Sequence, residues 1–578
     1  MTTNLDPVVQ ARAESWLRTP YDEQTINAVK QLFDTEQYTE LTDSFYKDLE
    51  FGTGGLRGIM GVGTNRMNKY TIGRATQGLS NYLLKIFPDQ QVKVVISYDS
   101  RNNSQSFARL VADIFSANGI KVYLFAELRP TPHLSFAVRQ LKCHGGVMLT
   151  ASHNPKEYNG YKAYWNDGGQ LVPPHDKNVI DEVYAIGDPD QIKFTPIPEN
   201  ITLLGEELDE AYLQAIKALC LRPEAVVRQH DLSIVYSPIH GTGVTLVPPA
   251  LLRWGFTNVN VVEAQALPDG NFPTVIYPNP EEGEAMSQAM EEGQRRGADV
   301  VFATDPDADR VGAAVKNAQG EYQLLNGNQI GSLLVNYVLS AKKEQGDLRP
   351  DDYVVKTIVT TNLIADIANS YGVTYYDTLT GFKYIGELIT LKAGMGRFLV
   401  GGEESYGFLV GELVRDKDAV VSAVFIAEMA AYYKDQGKTL FDALIELYMQ
   451  HGFYKEKLIS LTKAGKAGAE EIKAMMERLR NEPPQSIGGI SVAEIKDYQR
   501  SESFNLKTGK RAAINLPKSD VLQFITVDGD VVSARPSGTE PKIKFYCSVK
   551  QPLANREDFN KVSQELEERV TRIMKDIA

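Results

Sequence analysis

Residues 146–162 read GVMLTASHNPKEYNGYK. Val147-Met148-Leu149 is a short apolar run, the pattern of a buried strand. It gives way to Thr150-Ala151-Ser152-His153-Asn154-Pro155, and both Asn154-Pro155 and Asn159-Gly160 are turn-forming pairs. The reading predicts Ser152 on a tight loop at the carboxyl end of a strand, with His153 beside it and Lys162 shortly beyond. Open α/β sheets bind ligands at the carboxyl ends of their strands, and a serine placed there can serve as a nucleophile or carry a phosphoryl group. Ser, His and Asn before a proline also build ordinary turns, so the weight of this stretch comes from its context.

Working outward, the same alternation recurs. Lys93–Tyr98 and Lys121–Phe125 read as strands, and Ser106–Asn118 and Thr131–Lys142 as helices. Strands alternating with helices predict a doubly wound, largely parallel sheet. A second unit of this kind starts near Asp209, with strands at Leu232–Tyr236, Val259–Val262 and Ala298–Thr304. A third starts near Asn326, with strands at Tyr353–Val359 and Phe398–Val400 and a long helix following the latter. Thr378–Lys383 and the glycine-rich Phe51–Gly58 read as loops. From about residue 453 the pattern changes to a lysine-rich helical region, then strands at Val521–Thr526, Val531–Ala534 and Lys542–Val549, then a closing helix. The predicted fold class is α/β: three similar doubly wound α/β domains plus a smaller C-terminal α+β domain around a central cleft. The expected limits are 1–50 for a helical extension, then 51–205, 206–325, 326–452 and 453–578.

The chain's 578 residues exceed what one hydrophobic core organises. A net charge of −13 argues against nucleic-acid or anionic-membrane partners, which require basic surface. The three cysteines, Cys143, Cys220 and Cys547, form no CxxC pair, so no disulfide framework or zinc site is implied. The N-terminus lacks the basic start and apolar core of a secretory signal, and no run of 18 apolar residues occurs. A cytoplasmic protein is expected.

Four further loops carry polar groups. Asp305, Asp307 and Asp309 alternate at period two, which puts their carboxylates on one side of an extended segment. Like charges that close are costly unless a cation neutralises them, and hard oxygen ligands favour Mg²⁺ or Ca²⁺; a solvated acidic turn is the alternative. An EF-hand is excluded, because its sixth and twelfth positions are Arg310 and Lys316 rather than Gly and Glu. Arg535-Pro-Ser-Gly-Thr offers a guanidinium and two hydroxyls suited to a phosphate dianion, or an ordinary hairpin turn. Glu403 and Ser405 suit sugar hydroxyls, or a helix N-cap. Arg57, among four glycines, suits a phosphate contact, or simply decorates a flexible turn. Gly437-Lys438-Thr439 lacks the first glycine of a P-loop, and neither Ser152 nor Ser405 sits in GxSxG.

Thr150-Ala-Ser-His-Asn-Pro155, Asp305-Pro-Asp-Ala-Asp-Arg310, Gly402-Glu-Glu-Ser-Tyr-Gly407 and Arg535-Pro-Ser-Gly-Thr-Glu-Pro541 together resemble the four ordered motifs of the α-D-phosphohexomutase superfamily. The Phe51-Gly-Thr-Gly-Gly-Leu-Arg-Gly58 opening and the length resemble its phosphoglucomutase/phosphopentomutase branch. The resemblance implies a phosphoserine at Ser152. It implies Mg²⁺ on Asp305, Asp307, Asp309 and that phosphate. Lys162 falls on the general acid/base, and Arg57 and Arg310 fall near the transferring phosphate. Glu403 and Ser405 fall on the sugar loop. Arg535, Ser537, Gly538 and Thr539 fall on the grip for the other phosphate. Lys356 and the Thr380-Gly381-Lys383 segment fall near ligand-contacting positions, with Phe382 where other members carry histidine or tryptophan. The implied reaction interconverts glucose 1-phosphate and glucose 6-phosphate through glucose 1,6-bisphosphate. A phosphopentomutase, a phosphomannomutase, a metal phosphatase and a non-catalytic phosphosugar-binding regulator are the competing readings.

Overall fold

The computed structural model describes residues 5–52, 55–463, 465–537 and 542–577. The chain forms two compact units. One comprises Met1–Ala314, Ile385–Gly394 and Tyr406–Tyr432, and the other Val315–Tyr384, Met395–Ser405 and Tyr433–Ala578.

The first unit begins with the expected helices, at Pro7–Ser15, Glu23–Asp34 and Tyr38–Phe45. They have a small core of their own around Trp16, Val29, Leu41 and Phe45, closed by Tyr70 from the helix Lys69–Ile86. Asp22 caps the second helix and accepts a hydrogen bond from the Tyr70 hydroxyl. The extension is therefore tied to the first α/β module by apolar packing and by its cap.

The sheet of that module runs 55–59, 158–165, 145–149, 93–98, 121–125, 201–204. The last four strands are mutually parallel. The predicted strands Lys93–Tyr98 and Lys121–Phe125 appear with their predicted limits, and Gly145–Leu149 carries the apolar run. Three strands were not expected, one of them Ile201–Leu204 at the sheet's edge. Gly55–Ile59, read as loop, and Tyr158–Trp165, read as a turn, pair antiparallel with each other, and the latter pairs antiparallel with Gly145–Leu149. Gly160 resembles a turn residue in the sequence. Here it is a place of close backbone approach, because a Cβ would lie 2.4 Å from the Thr150 carbonyl oxygen. The chain moves outward from the central strand 93–98 first to one side and then to the other. The loops after 93–98 and after 145–149 thus flank a topological switch point, where α/β sheets bind ligands.

The second sheet of this unit orders its strands 311–316, 300–304, 234–237, 259–261, and the loop 305–310 joins two neighbours. The helix Ala419–Lys434 carries Glu428, fully buried, which accepts hydrogen bonds from Trp254 Nε1 at 2.7 Å and from the backbone of Leu221 and Arg222.

In the second unit the strands 374–378, 352–357 and 397–402 are parallel. Of Thr378–Lys383, which reads as a loop, Leu379–Gly381 is one; Thr378 ends the strand Thr374–Thr378, and Phe382 and Lys383 open the helix Phe382–Leu391. The C-terminal sheet is antiparallel, in the order 453–462, 542–551, 531–536, 522–526, 490–497, 502–505, 511–513. Phe453–Thr462, expected to be helical, is its edge strand, and the helix starts later, at Gly465. An edge strand tolerates charged residues such as Lys455 and Lys457, which blurs its period in the sequence. The helix Phe559–Ile577 packs on this sheet. No helix among the described residues is long and apolar enough to cross a membrane.

His133 lies fully buried between the rings of Phe125 and Tyr212. Burial lowers its pKa from 6.5 to about 4, against the pull of Asp209. The unfolded chain takes up a proton at this residue near pH 6.5 and the folded chain only near pH 4. Stability is therefore full above pH 6.5, falls between the two values, and levels off below them. Replacing His133 with Gln should remove about 3 kcal/mol of this pH dependence. Thermal unfolding from pH 7 to pH 4 checks it, and equal slopes for both proteins would refute it.

Candidate functional site

Ser152 follows the strand Gly145–Leu149 in a left-handed conformation, with φ 52°. A residue with a Cβ adopts this geometry only where its surroundings hold it. The Ser152 N–H donates to Thr150 Oγ1 at 2.8 Å. Its hydroxyl donates to Asp305 Oδ2 at 2.7 Å and lies 3.1 Å from His153 Nδ1. Burial, then Arg310 and Arg57, push the pKa of His153 well below its ordinary value, so its ring is neutral. Arg57, on the strand Gly55–Ile59, donates to Asn154 Oδ1 at 3.1 Å and so reaches the same loop.

The loop 305–309 brings three carboxylates to the serine. Oxygens of Asp305, Asp307 and Asp309 lie within 4.8 Å of one another, all buried. Ala308, between them, is also left-handed, with φ 48°. The backbone N–H groups of Asp309 and Arg310 donate to Asp305 Oδ1, and Thr131 Oγ1 donates to Asp307 Oδ2 at 2.7 Å. Arg310 pairs with Glu281 at 2.6 Å.

Two lysines balance the charge. Lys162, on the strand Tyr158–Trp165, lies 2.7 Å from Asp307 and 3.0 Å from Asp309. Lys417 lies 3.2 Å from Asp309 and 3.2 Å from Asp416, whose other oxygen accepts from Tyr164 and Gln170. Burial by itself would lower the Lys162 pKa, but Asp307 and Asp309 outweigh it and raise it. Burial, then Asp307 and Asp309, raise Asp305 well above the carboxylate range. At Asp309 burial acts the same way, yet Lys162, Lys417 and Arg310 overcome it and hold the group low.

Sequence reasoning passed over Lys417, Asp416, Thr131 and Arg101. The signal for the first two was present: Arg415-Asp416-Lys417-Asp418 is a charged run directly before the apolar helix Ala419–Lys434, and all four are buried. Arg101 and Thr131 carry no local pattern that separates them from other loop residues.

The second unit gathers the remaining candidates in two places. Glu403 follows the strand Arg397–Gly402, and its Oε1 accepts from the Gly381 N–H at 2.8 Å. The alternative of a helix N-cap at this loop is excluded, because a strand, Phe408–Val410, precedes the helix. Buried Lys356 pairs with Asp377 at 2.8 Å and donates to the Thr360 carbonyl. Thr380 has a buried hydroxyl oxygen with no hydrogen-bond partner among the described residues. The Lys383 ammonium lies 4.9 Å from the Tyr384 ring centroid. Ser405 follows Glu403 in the same loop. Arg535 is the next-to-last residue of the strand Val531–Pro536, and the Ser537 N–H donates to the Lys542 carbonyl at 2.7 Å. Gly538 and Thr539 lie outside the described residues.

The donor set of the triad fits a hard divalent cation. Asp307 Oδ1 and Asp309 Oδ1 are buried with no hydrogen-bond partner among the described residues, and all the oxygens are carboxylate. A serine hydroxyl within hydrogen-bond reach of such a centre suits phosphoryl transfer, in which positioning and charge stabilisation do the chemistry.

The chain matches the family descriptions of phosphoglucomutase/phosphomannomutase α/β/α domains I, II and III over residues 48–189, 210–320 and 326–450. The C-terminal domain of the same family matches residues 471–559. It is 38% identical to a phosphoglucomutase of Staphylococcus aureus over 96% of this chain and 97% of that one. It is 36% identical to a phosphoglucomutase of Staphylococcus haemolyticus over 96% and 98%. Among solved structures, the Paramecium exocytosis-sensitive phosphoprotein pp63/parafusin superimposes with a TM-score of 0.66 at 16% identity, covering 91% of this chain and 96% of its own. With serine, carboxylates and lysines assembled as described, and all four domain matches in order, the chain belongs to the phosphoglucomutase/phosphomannomutase family.

Proposed function

We propose that the chain interconverts glucose 1-phosphate and glucose 6-phosphate, with Ser152 carrying a phosphoryl group between turnovers. The observation that carries this reading is the Ser152 hydroxyl 2.7 Å from Asp305, inside a buried carboxylate triad. Glucose as the sugar rests on the activity named for the staphylococcal relatives. The division at residues 50, 205, 325 and 452 belongs to the same reading, as does a cytoplasmic location, where Cys143, Cys220 and Cys547 remain thiols.

Asp305, Asp307, Asp309 and the serine's phosphate would hold Mg²⁺. When bound, it supplies positive charge against the repulsion between a phosphoserine and an anionic sugar. Ser152 gives its phosphoryl group to the free 6-hydroxyl of glucose 1-phosphate. The Oγ–P bond breaks, a bond from the sugar oxygen forms, and the hydroxyl proton is balanced by one taken up at Oγ. The resulting 1,6-bisphosphate reorients, and Ser152 takes back the phosphoryl group from position 1. Arg57, beside Asn154, and Arg310 offer guanidinium charge to the group in transit. Lys162 enters as a cation held by Asp307 and Asp309. In that form it can protonate a departing oxygen, and it becomes a base only when those two carboxylates are otherwise neutralised. Glu403, Ser405, Lys356, Thr380, Gly381 and Lys383 are assigned to the sugar, and Arg535, Ser537, Gly538 and Thr539 to the phosphate that stays in place.

A panel of glucose, mannose and ribose 1-phosphates, with Mg²⁺ and a trace of the matching bisphosphate, tests this by phosphorus NMR. Isomerisation of glucose 1-phosphate without release of inorganic phosphate is expected. Preference for ribose or mannose would change the substrate, and stoichiometric free phosphate would mean a phosphatase. Ser152→Ala should lose roughly 10³-fold or more of the turnover while still binding sugar phosphate. Residual turnover near wild type would refute the phosphoserine.

Thr131 holds Asp307 twice, by its Oγ1 to Oδ2 and by its backbone N–H to the Asp307 carbonyl at 2.8 Å, and Thr131→Val removes only the first. Thr131→Val should weaken Mg²⁺ affinity by about 10–100-fold, the usual effect of losing a bond that orients a metal ligand. Calorimetric titration with Mg²⁺ measures it, and unchanged affinity would show that Asp307 is not a ligand.

A further inference from the structure

Arg101 lies in the loop after the strand Lys93–Tyr98, and its side chain is fully enclosed. Its guanidinium donates to four backbone carbonyls of one segment. Nη2 reaches Ser152 O at 2.7 Å and also Asn154 O, while Nη1 reaches Pro155 O at 2.8 Å and Tyr158 O at 3.1 Å. These four residues span the whole turn from the serine to the start of the strand that carries Lys162. No shorter or more flexible cation could span them, since a lysine offers one point charge where the guanidinium offers a planar fork.

Arg101 is itself held on two sides. Buried Asp99 lies 3.4 Å from its Nε and accepts from its backbone N–H at 2.9 Å. Ser104 fixes that same carboxylate at 2.7 Å. On the other side the buried ring of Phe272 stacks on the guanidinium, 5.0 Å from its carbon. The loop that carries Phe272 comes close because of Gly270, where a Cβ would lie 2.3 Å from the Asn102 nitrogen. Asn102 and Asn271 add a hydrogen bond of 3.1 Å.

Ser152 has left-handed φ without being glycine, and its own hydrogen bonds run to Thr150, Asp305 and His153. Those contacts fix the hydroxyl and the N–H. The carbonyl side of the residue is fixed by Arg101. We propose that Arg101 is a positioning residue of the phosphoryl-transfer step, which keeps Ser152 in the strained conformation that aims Oγ at the carboxylate triad. Through Phe272 it also makes the serine's geometry depend on the second α/β module of the same unit. The inference rests on the phosphoserine reading of Ser152. It concerns the rate at which Oγ is phosphorylated and the phosphoryl group returned, and not the affinity for cation or sugar.

The test follows phosphorylation of the full chain by glucose 1,6-bisphosphate in excess Mg²⁺. A phosphoryl group passes to Ser152 Oγ, the serine proton ends on the released sugar oxygen, and intact mass spectrometry with peptide mapping reads the product. Wild type, Arg101→Lys, Arg101→Ala and Phe272→Leu are compared. Arg101→Lys should phosphorylate about 100-fold more slowly, the scale of a small misplacement of a reacting group, with Mg²⁺ affinity and KM within about twofold of wild type. Added guanidinium ion should recover Arg101→Ala, whereas sodium chloride at equal ionic strength should not. Phe272→Leu keeps every hydrogen bond of Arg101 and should lose about tenfold. Wild-type rates in Arg101→Lys, no recovery by guanidinium, or an effect on KM rather than on kcat would overturn the inference. If the Arg101 variants do not fold, unslowed phosphorylation of Phe272→Leu overturns it. Absence of phosphate on Ser152 in wild type would instead refute the phosphoserine reading itself.

Discussion

Asp305, Asp307 and Asp309 bring three carboxylates within 4.8 Å of one another where water does not reach. At such separations two like charges repel by roughly 4 kcal/mol even at an effective dielectric constant of 20. The surrounding structure answers this repulsion. Lys162 and Lys417 approach from two different elements, Arg310 follows the loop, and two backbone N–H groups turn toward Asp305. The pKa of Asp305 rises and that of Asp309 falls, so the proteins' own groups share the charge unevenly. Among the described residues Asp307 Oδ1 and Asp309 Oδ1 have no hydrogen-bond partner, which leaves them open to a cation. The serine hydroxyl is aimed at this same cluster, 2.7 Å from Asp305.

Close to this centre the backbone departs from relaxed geometry. Ser152, Ala308 and Tyr406 all have positive φ. The Tyr406 carbonyl accepts from the Val311 N–H, just beyond the carboxylate loop. Strain of this kind persists where neighbours over-determine the chain, and here the neighbours are Arg101, Thr150 and the sheet itself. The rigid part of the site thus comes from strand ends and buried ion pairs, and the loops are shaped to fit them.

The sequence revealed the centre well where chemistry repeats at short spacing. The period-two aspartates, Ser152 at a strand end and Lys162 nearby all meet in space. It revealed less where partners are distant. Asp416 and Lys417 lie more than 100 residues from Asp309, and only the fold brings them together. Strands with irregular pattern were also hidden. Gly55–Ile59 is glycine-rich because its neighbour passes close, and Phe453–Thr462 is charged because it lies at a sheet edge. Both features resemble loop or helix when read locally. Arg101 was invisible for a related reason, since its role consists entirely of contacts to backbone carbonyls, which leave no trace in residue type.

The most direct test of the account is the location of a divalent cation. Crystals soaked in Mn²⁺, an anomalous scatterer that takes the same oxygen ligands as Mg²⁺, should give one strong peak at roughly 2–2.5 Å from oxygens of Asp305, Asp307 and Asp309. Lys162 should then be displaced from at least one of its two carboxylate partners. A peak elsewhere, or no peak at saturating Mn²⁺ with both lysine pairs intact, would contradict the account, because the triad would be balanced by lysines alone.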